Sequence, residues 1–476
     1  FGAGSQVDMN SLTVSTFDFN GAKNLKNMSA EEMNAYQTGV LNKLSPVAAV
    51  NGEGRNYGDI NFDSNYISGF QLAGVSYNPG NTNITFDGAD VYVDKSFNAV
   101  SDNIAYTDSI IRTAGNYNYI TPNASQSFSN VRLVTGDGVT FRYKANGYSN
   151  NYKVADDTKN VERNIKIDNS GLLAKDPTKV AIQTGDLHIV NGSKAAGSNV
   201  KISNSIVKAT KLVNAENGDI LITSLNDVDI ENSRLQTVNT IAAADKKSTI
   251  EQSGGEIYIG AGKNANVKNS LLMSAGTSST NANANSGAVR VVSTGNANVD
   301  GSKILSEGVA KVKASNKTTI NNSLISASNT TNKSIARDAV VSGSAGGVEI
   351  KNSIIDATGD VDVISQYSDK SLANNIVISS NPDTNGMNQT VISAGGKLSI
   401  QGKNTKVDNA SLAYKELKFY GDGTTGTNNV TIANNTTFTP VKVHADGSKT
   451  VGSDVDIETN GDLTFDNATA KRSAYS

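Results

Sequence analysis

The chain has 476 residues, with 42 Lys and Arg against 45 Asp and Glu and a formal charge of -3, so it lacks the basic excess that a nucleic-acid partner demands. It contains no cysteine and no tryptophan, 43 glycines and only 6 prolines, which excludes disulfide stapling and thiol chemistry. No apolar run is long enough for a membrane span, no signal peptide is legible, and the start at Phe1 without methionine reads as a processing boundary.

The first third has its own texture. Eleven of the 16 tyrosines fall at or before Tyr152, and nine of the 12 phenylalanines at or before Phe141. Ser29 followed by Glu32 forms a capping box, and Met33, Tyr36, Val40 and Leu44 recur at helical spacing until Pro46, which predicts one short amphipathic helix. From about residue 60 to 143 the pattern returns to strands, as in NITFDGADVYV and NVRLVTGDGVTF, and Lys144 to Asn164 reads as a long polar loop. The region to about residue 155 is therefore expected to be an irregular, aromatic-rich cap that covers the open end of a repetitive shaft.

The remainder of the chain is a repeat. An alternating apolar stretch, then Asn-Ser, then a second apolar stretch appears as IKIDNSGLLA, VKISNSIVKA, VDIENSRLQT and NVKNSLLMSA, and again as NVDGSKILSE, TTINNSLISA and VEIKNSIIDA. The landmarks Asn169, Asn204, Asn232, Asn269, Gly301, Asn322 and Asn352 are 35, 28, 37, 32, 21 and 30 residues apart, so the unit is kept while its loops vary. Alternation with period two, as in Val228 and Ile230 against Asp229 and Glu231, marks strands with one row inward. A further strand, introduced by glycine, lies between landmarks, as in GDLHIV at Gly185, GDILIT at Gly218, GGEIYIG at Gly254, GAVRVV at Gly287 and GDVDVI at Gly359. Several short strands per turn predict an all-β, right-handed parallel β-helix, a solenoid in which no coil buries its apolar row alone.

The recurring asparagine has a structural explanation. Asparagine tolerates the left-handed backbone of a sharp bend, and copies in register can join their amides in a ladder. Gly301 in the same place fits the bend and supplies no functional group.

Candidates for chemistry are few. Asp227 with Asp229, Asp360 with Asp362, and Asp454 with Asp456 are spaced by two, so each pair projects from one side of a strand, as a polysaccharide-cleaving β-helix would require of its acids; the plainer reading is the polar half of an alternating strand. His188 and His444 are the only histidines and lie far apart in sequence. Tyr117 and Tyr119 alternate along a strand and could stack sugars or cover a core. Asn-x-Ser/Thr sequons at Asn83, Asn123, Asn191, Asn316, Asn329, Asn388, Asn429, Asn435 and Asn467 permit glycosylation, although many such matches arise by chance in a chain of this composition. No catalytic residue, cofactor or metal ligand is assigned.

The opening FGAGSQVDMNSLTVST resembles a segment of the filamentous haemagglutinin secretion domain, in which a glycine-bearing strand precedes a Leu-x-Ala-Ser-Thr-like phrase. The matching positions are Phe1, Gly2, Leu12, Ser15 and Thr16, with Val14 where alanine is usual. NVRLVTGDGVTF is similar to a later strand pair of that domain. The family's Asn-Pro-Asn-Leu and Asn-Pro-Asn-Gly motifs are absent, and Asn78-Pro79-Gly80 falls after the matched segment. The resemblance implies that residues 1–155 are the remainder of a two-partner secretion domain whose beginning is missing, and that 156–476 are a β-helical shaft continuous with it. It further implies a secreted, non-enzymatic exoprotein on a Gram-negative cell surface, acting as an adhesin. The implied partners are an outer-membrane β-barrel transporter and a receptor or glycan on a host or neighbouring cell. Within the family the alternative is the stalk of a contact-dependent toxin or a haemolysin; from another class, it is a β-helix polysaccharide lyase or hydrolase.

Overall fold

A computed structural model describes residues 6–15, 60–63, 66–70, 83–93, 97–100, 103–113, 116–120, 125–135, 138–142, 162–209, 218–237, 255–274, 282, 287–330, 332–365, 375–381, 389–421, 428–443, 449–451, 459–467 and 471–472. For strands Gln6–Ser15, Ile60–Asp63, Tyr66–Phe70, Phe97–Val100, Asn116–Ile120, Gly138–Arg142, Lys449–Val451 and Lys471–Arg472 only the backbone belongs to that set. The expected helix between Ser29 and Leu44 and the expected boundary near residue 155 lie outside it. The chain divides into two compact units, Phe1–Asn214 with Leu221–Asp227, and Ala215–Ile220 with Val228–Ser476.

Within each unit the chain winds as a right-handed parallel β-helix. Each coil supplies a strand before the bend (face 1), a strand after it (face 2) and a later strand (face 3). In the first unit face 1 stacks Asn83–Asp87, Asn103–Thr107, Ser125–Ser129, Ile165–Asp168 and Val200–Ser203 in parallel register. The long strand Gln6–Ser15 serves two faces, because Gln6–Asp8 pairs with Tyr66–Ser68 and Leu12–Ser15 pairs with Phe97–Val100.

Three aromatic residues of the first unit, Phe86, Tyr106 and Phe128, are built into the coils themselves. The register sets Phe86 opposite Tyr106 and Tyr106 opposite Phe128, so ring falls on ring. Phe86, Tyr106 and Phe128 stack as an internal column, with ring centroids 4.7 and 4.8 Å apart and planes within 16° of parallel. The strand spacing of a sheet is about 4.8 Å, so the backbone repeat dictates the ring spacing.

In the second unit the inward row of face 1 is aliphatic. Ile230, Val267, Val299, Ile320, Ile350, Ile378, Val407 and Ile432 follow one another coil by coil and are all buried. β-Branched side chains suit a pleated surface that is packed on its neighbours, and each such burial contributes about 1.5–3 kcal/mol. The glycine that introduces so many strands has a packing reason. At Gly395 a Cβ would run into the carbonyl of Thr358 in the preceding coil, and at Gly347, where φ is +81°, it would run into the carbonyl of Asn375. The only antiparallel pairing described in this unit joins Thr437–Val443 to Lys449–Val451. Among the described residues no helix is long and apolar enough to cross a membrane.

Candidate functional site

The Asn-Ser landmark divides its work between its two residues. Asn204, Asn232, Asn269, Asn322 and Asn352 hold φ between 47° and 50°, and Gly301 holds 57°, which is the left-handed bend that asparagine and glycine accept at least cost. The same bend continues where the sequence motif fades, at Asn409, Asn434 and Asn467, and earlier at Asp108 and Asn130.

Asn169 departs from the expected pattern. Its φ is -116° and its side chain is fully buried, and the strand expected after it is instead a short helix, Ser170–Lys175. The sequence here, SGLLAK, lacks the β-branched residues of most other copies and is rich in helix formers. The amide of Asn169 turns inward, accepts the N–H of Val131 at 2.8 Å and donates to Ser205 Oγ at 2.8 Å. The bend of the preceding coil falls on Asn130, whose Oδ1 accepts the N–H of Gly171 at 2.8 Å.

The serine after the bend is the residue whose role the sequence reading missed. Ser233, Ser270, Ser302, Ser323 and Ser353 point inward and are at most 6% exposed. Each hydroxyl donates to the carbonyl two residues back, at 2.6–2.8 Å. The Oγ of Ser270, Ser302, Ser323 and Ser353 also accepts the backbone N–H of the serine one coil earlier, at 3.0–3.1 Å. Thr390 ends this column by accepting from Ser353 N at 3.3 Å. A buried N–H at a tight bend needs an acceptor, and the next coil's serine supplies it. The signal in the sequence was Gly301-Ser302, where the asparagine is replaced and the serine is not.

The expected amide ladder at the bends is partial. Asn352 donates to Asn322 and Asn467 to Asn434, each at 3.4 Å, whereas Asn204 donates to Asp168 at 3.1 Å and Asn434 to Asp408 at 2.5 Å. Tighter amide columns run along face 1 and just ahead of its strands. Asn296 donates to Asn264 at 3.1 Å, Asn316 to Asn296 at 2.8 Å and Asn298 to Asn266 at 2.8 Å.

One member of each described acid pair, Asp229 and Asp360, is a rung between coils. Asp229 Oδ1 accepts from Asn266 at 2.7 Å. Asp338 Oδ1 accepts the N–H of Asp360 at 2.8 Å, and Asp360 Oδ1 accepts the N–H of Lys397 at 2.7 Å, so these carboxylates cap the backbone of the following coil. Asp362, beside them, has its carboxyl pushed above the usual range, first by burial and then by the charges of Asp360 and Asp338, against opposing help from Ser399 and Lys397. Asp454, Asp456 and His444 lie outside the described residues, and His188 sits half-buried on the outward side of Leu187–Asn191. Among the described residues no three His, Asp or Glu side chains converge as a metal site. The strand of Tyr117 and Tyr119 is described without its side chains. Of the sequons, Asn191 and Asn329 are buried at 2% exposure, Asn83 is half-buried, Asn316, Asn429, Asn435 and Asn467 are exposed, and Asn123 and Asn388 lie outside the described residues.

Face 3 of the second unit sets charged side chains against aromatic rings. Arg290 is ion-paired with Glu256 and lies over the ring of Tyr258, 4.9 Å from its centroid. Lys397 donates to Tyr420 Oη at 2.5 Å, and the ammonium groups of Lys397 and Lys418 lie 4.9 and 5.4 Å from the centre of that ring. Burial pushes the Glu256 carboxyl up, and the guanidinium of Arg290 opposes it. Of the family-like positions, Leu12 and Ser15 fall in the strand Gln6–Ser15, and Phe1, Gly2 and Thr16 lie outside the described residues. Comparison with known proteins finds no family model, no curated protein and no solved structure that matches this chain.

Proposed function

We propose that this chain belongs to a secreted, non-enzymatic cell-surface exoprotein of the filamentous haemagglutinin type, exported by an outer-membrane β-barrel transporter and used in attachment. The observation that carries the reading is the locality of its pairing. Among the described residues of the second unit, the strands of face 1 from Val228–Glu231 through Leu463–Asp466 each pair with their counterparts one coil away. Such a chain folds in order as it emerges from a pore, and each new coil resists its return. The absence of cysteine removes covalent loops that would block threading. The resemblance of residues 1–16 to a secretion domain supplies the transporter, and the outward amide columns suit contact with a glycan or receptor.

Export and attachment are tested separately. Fused behind a complete secretion domain of a two-partner exoprotein and expressed with that exoprotein's transporter, the chain should be released from a Gram-negative cell. Ile230→Asp, which places a charge in the aliphatic column, should slow that release while leaving transporter engagement intact. Beads coated with the purified chain should adhere to host or neighbouring cells. Release indifferent to Ile230→Asp contradicts the export reading, and beads no more adherent than albumin-coated ones contradict attachment.

A further inference from the structure

We propose that the outward side of face 3 around Lys311 and Lys313, walled by Arg290, binds one oxyanion: the carboxylate or sulfate carried by an otherwise uncharged glycan. Arg290 lies on Val289–Ser293, and both lysines lie on the next coil's strand, Ala310–Ala314. The register sets Arg290 opposite Lys311, and alternation turns all three side chains outward. Strand geometry then separates Arg290 from Lys311 by about 5 Å and Lys311 from Lys313 by about 7 Å at the backbone, within the reach of long side chains that converge on one group.

The two lysines are not neutralised. Among the described residues no ion pair includes Lys311 or Lys313. Partial burial, then the charges of Lys313 and Arg290, hold the Lys311 ammonium below the ordinary lysine value. Arg290 is committed to Glu256 and stacked on Tyr258, so it forms a fixed wall rather than a free donor. An anion seated between the lysines would restore what Lys311 lacks, through charge-assisted hydrogen bonds.

The surroundings set the size of that anion. The following coil places uncharged Val340 and Ser342 opposite Lys311 and Lys313. One coil further on, Asp362 stands opposite Val340, with Asp360 and Asp338 beside it, and on the other side lies Glu256. Cations confined to two coils and bounded by acids attract a single oxyanion and repel an extended polyanion, because like charges act over the same few ångströms. A nucleic acid or a densely sulfated chain therefore does not fit.

This site deepens the attachment reading by giving its ligand a chemical class, and it rests on that reading for biological use only; binding is read on the purified chain, so failure here leaves export standing. The probes are a neutral oligosaccharide, the same sugar with one uronic acid, and the same sugar with one sulfate ester, each titrated while the lysine side-chain carbon resonances are followed by NMR. A singly charged probe should bind at low salt and shift the Lys311 and Lys313 signals, while the neutral parent does not; the two charged arms identify carboxylate or sulfate as the preferred group. Lys313→Gln, at an exposed position, and Lys311→Gln should each weaken binding about ten-fold, the scale of one charge-assisted hydrogen bond. Lys418→Gln, further along the same face, should leave binding unchanged. The proposal is overturned if neither charged probe outbinds the neutral sugar, if binding survives both lysine substitutions, or if a densely sulfated chain binds more tightly per site than the singly charged probe.

Discussion

Ser302 donates its backbone N–H to Ser323 Oγ at 3.1 Å, and that same hydroxyl donates to the carbonyl of Asn321 at 2.6 Å. One buried side chain thus closes its own bend and satisfies the bend of the coil before it. Ser323→Ala should leave the Ser302 N–H without an acceptor and cost about 1–3 kcal/mol, the penalty of a buried unsatisfied donor. Urea unfolding read by circular dichroism measures it; a loss comparable to that of an exposed serine would show that the column is dispensable.

The neighbouring Asn322 acts through its backbone. With φ at 47°, Asn322→Gly should be close to neutral, as the native Gly301 indicates. Asn322→Ala should cost about 1–2 kcal/mol from the strain of a Cβ in the left-handed region. Equal midpoints for the two variants would remove the bend as the reason for this residue.

The ring column should respond to a cavity. Tyr106 is fully buried between Phe86 and Phe128, and Tyr106→Ala should destabilise by about 3–5 kcal/mol. Differential scanning calorimetry would register this as a lowered transition. A variant that melts with the parent would place the rings outside the cooperative core.

Acid should strengthen the stack at Asp362. Its folded carboxyl lies above the unfolded value of 3.8, chiefly through burial. A carboxyl raised in this way binds a proton more tightly when folded, so its contribution to unfolding free energy rises as pH falls through the folded value and levels off below 3.8. Asp362→Asn should raise stability at neutral pH and remove that acid-side gain. Denaturation midpoints of both proteins across the mildly acidic range provide the measurement, and parallel profiles would refute it.

The strands and the bends were legible because their signals are local. Val228 and Ile230 alternate with Asp229 and Glu231 within one strand, and the bend repeats as Asn-Ser. The serine column was not legible in the same way, because its bonds link residues 21 to 37 positions apart and serine at a turn already has a local explanation. Helix Ser170–Lys175 was hidden by a motif match at Asn169 that outweighed the composition of SGLLAK. The pairing of Arg290 with Lys311 was out of reach of sequence counting, because loops of unequal length separate the coils and only the register sets these residues side by side.

The central claim is that the coils stack in one fixed parallel register, and a chain without native cysteine allows a direct measurement. Asn298 and Thr319 are outward partners on adjacent coils, about 5 Å apart at the backbone, within disulfide reach. Oxidation of the Asn298→Cys, Thr319→Cys double variant should cross-link the folded monomer almost completely, whereas Asn298→Cys with Thr318→Cys, where Thr318 points inward, should not cross-link until the protein is denatured. Equal cross-linking of the two pairs, or none in the first, would contradict the account.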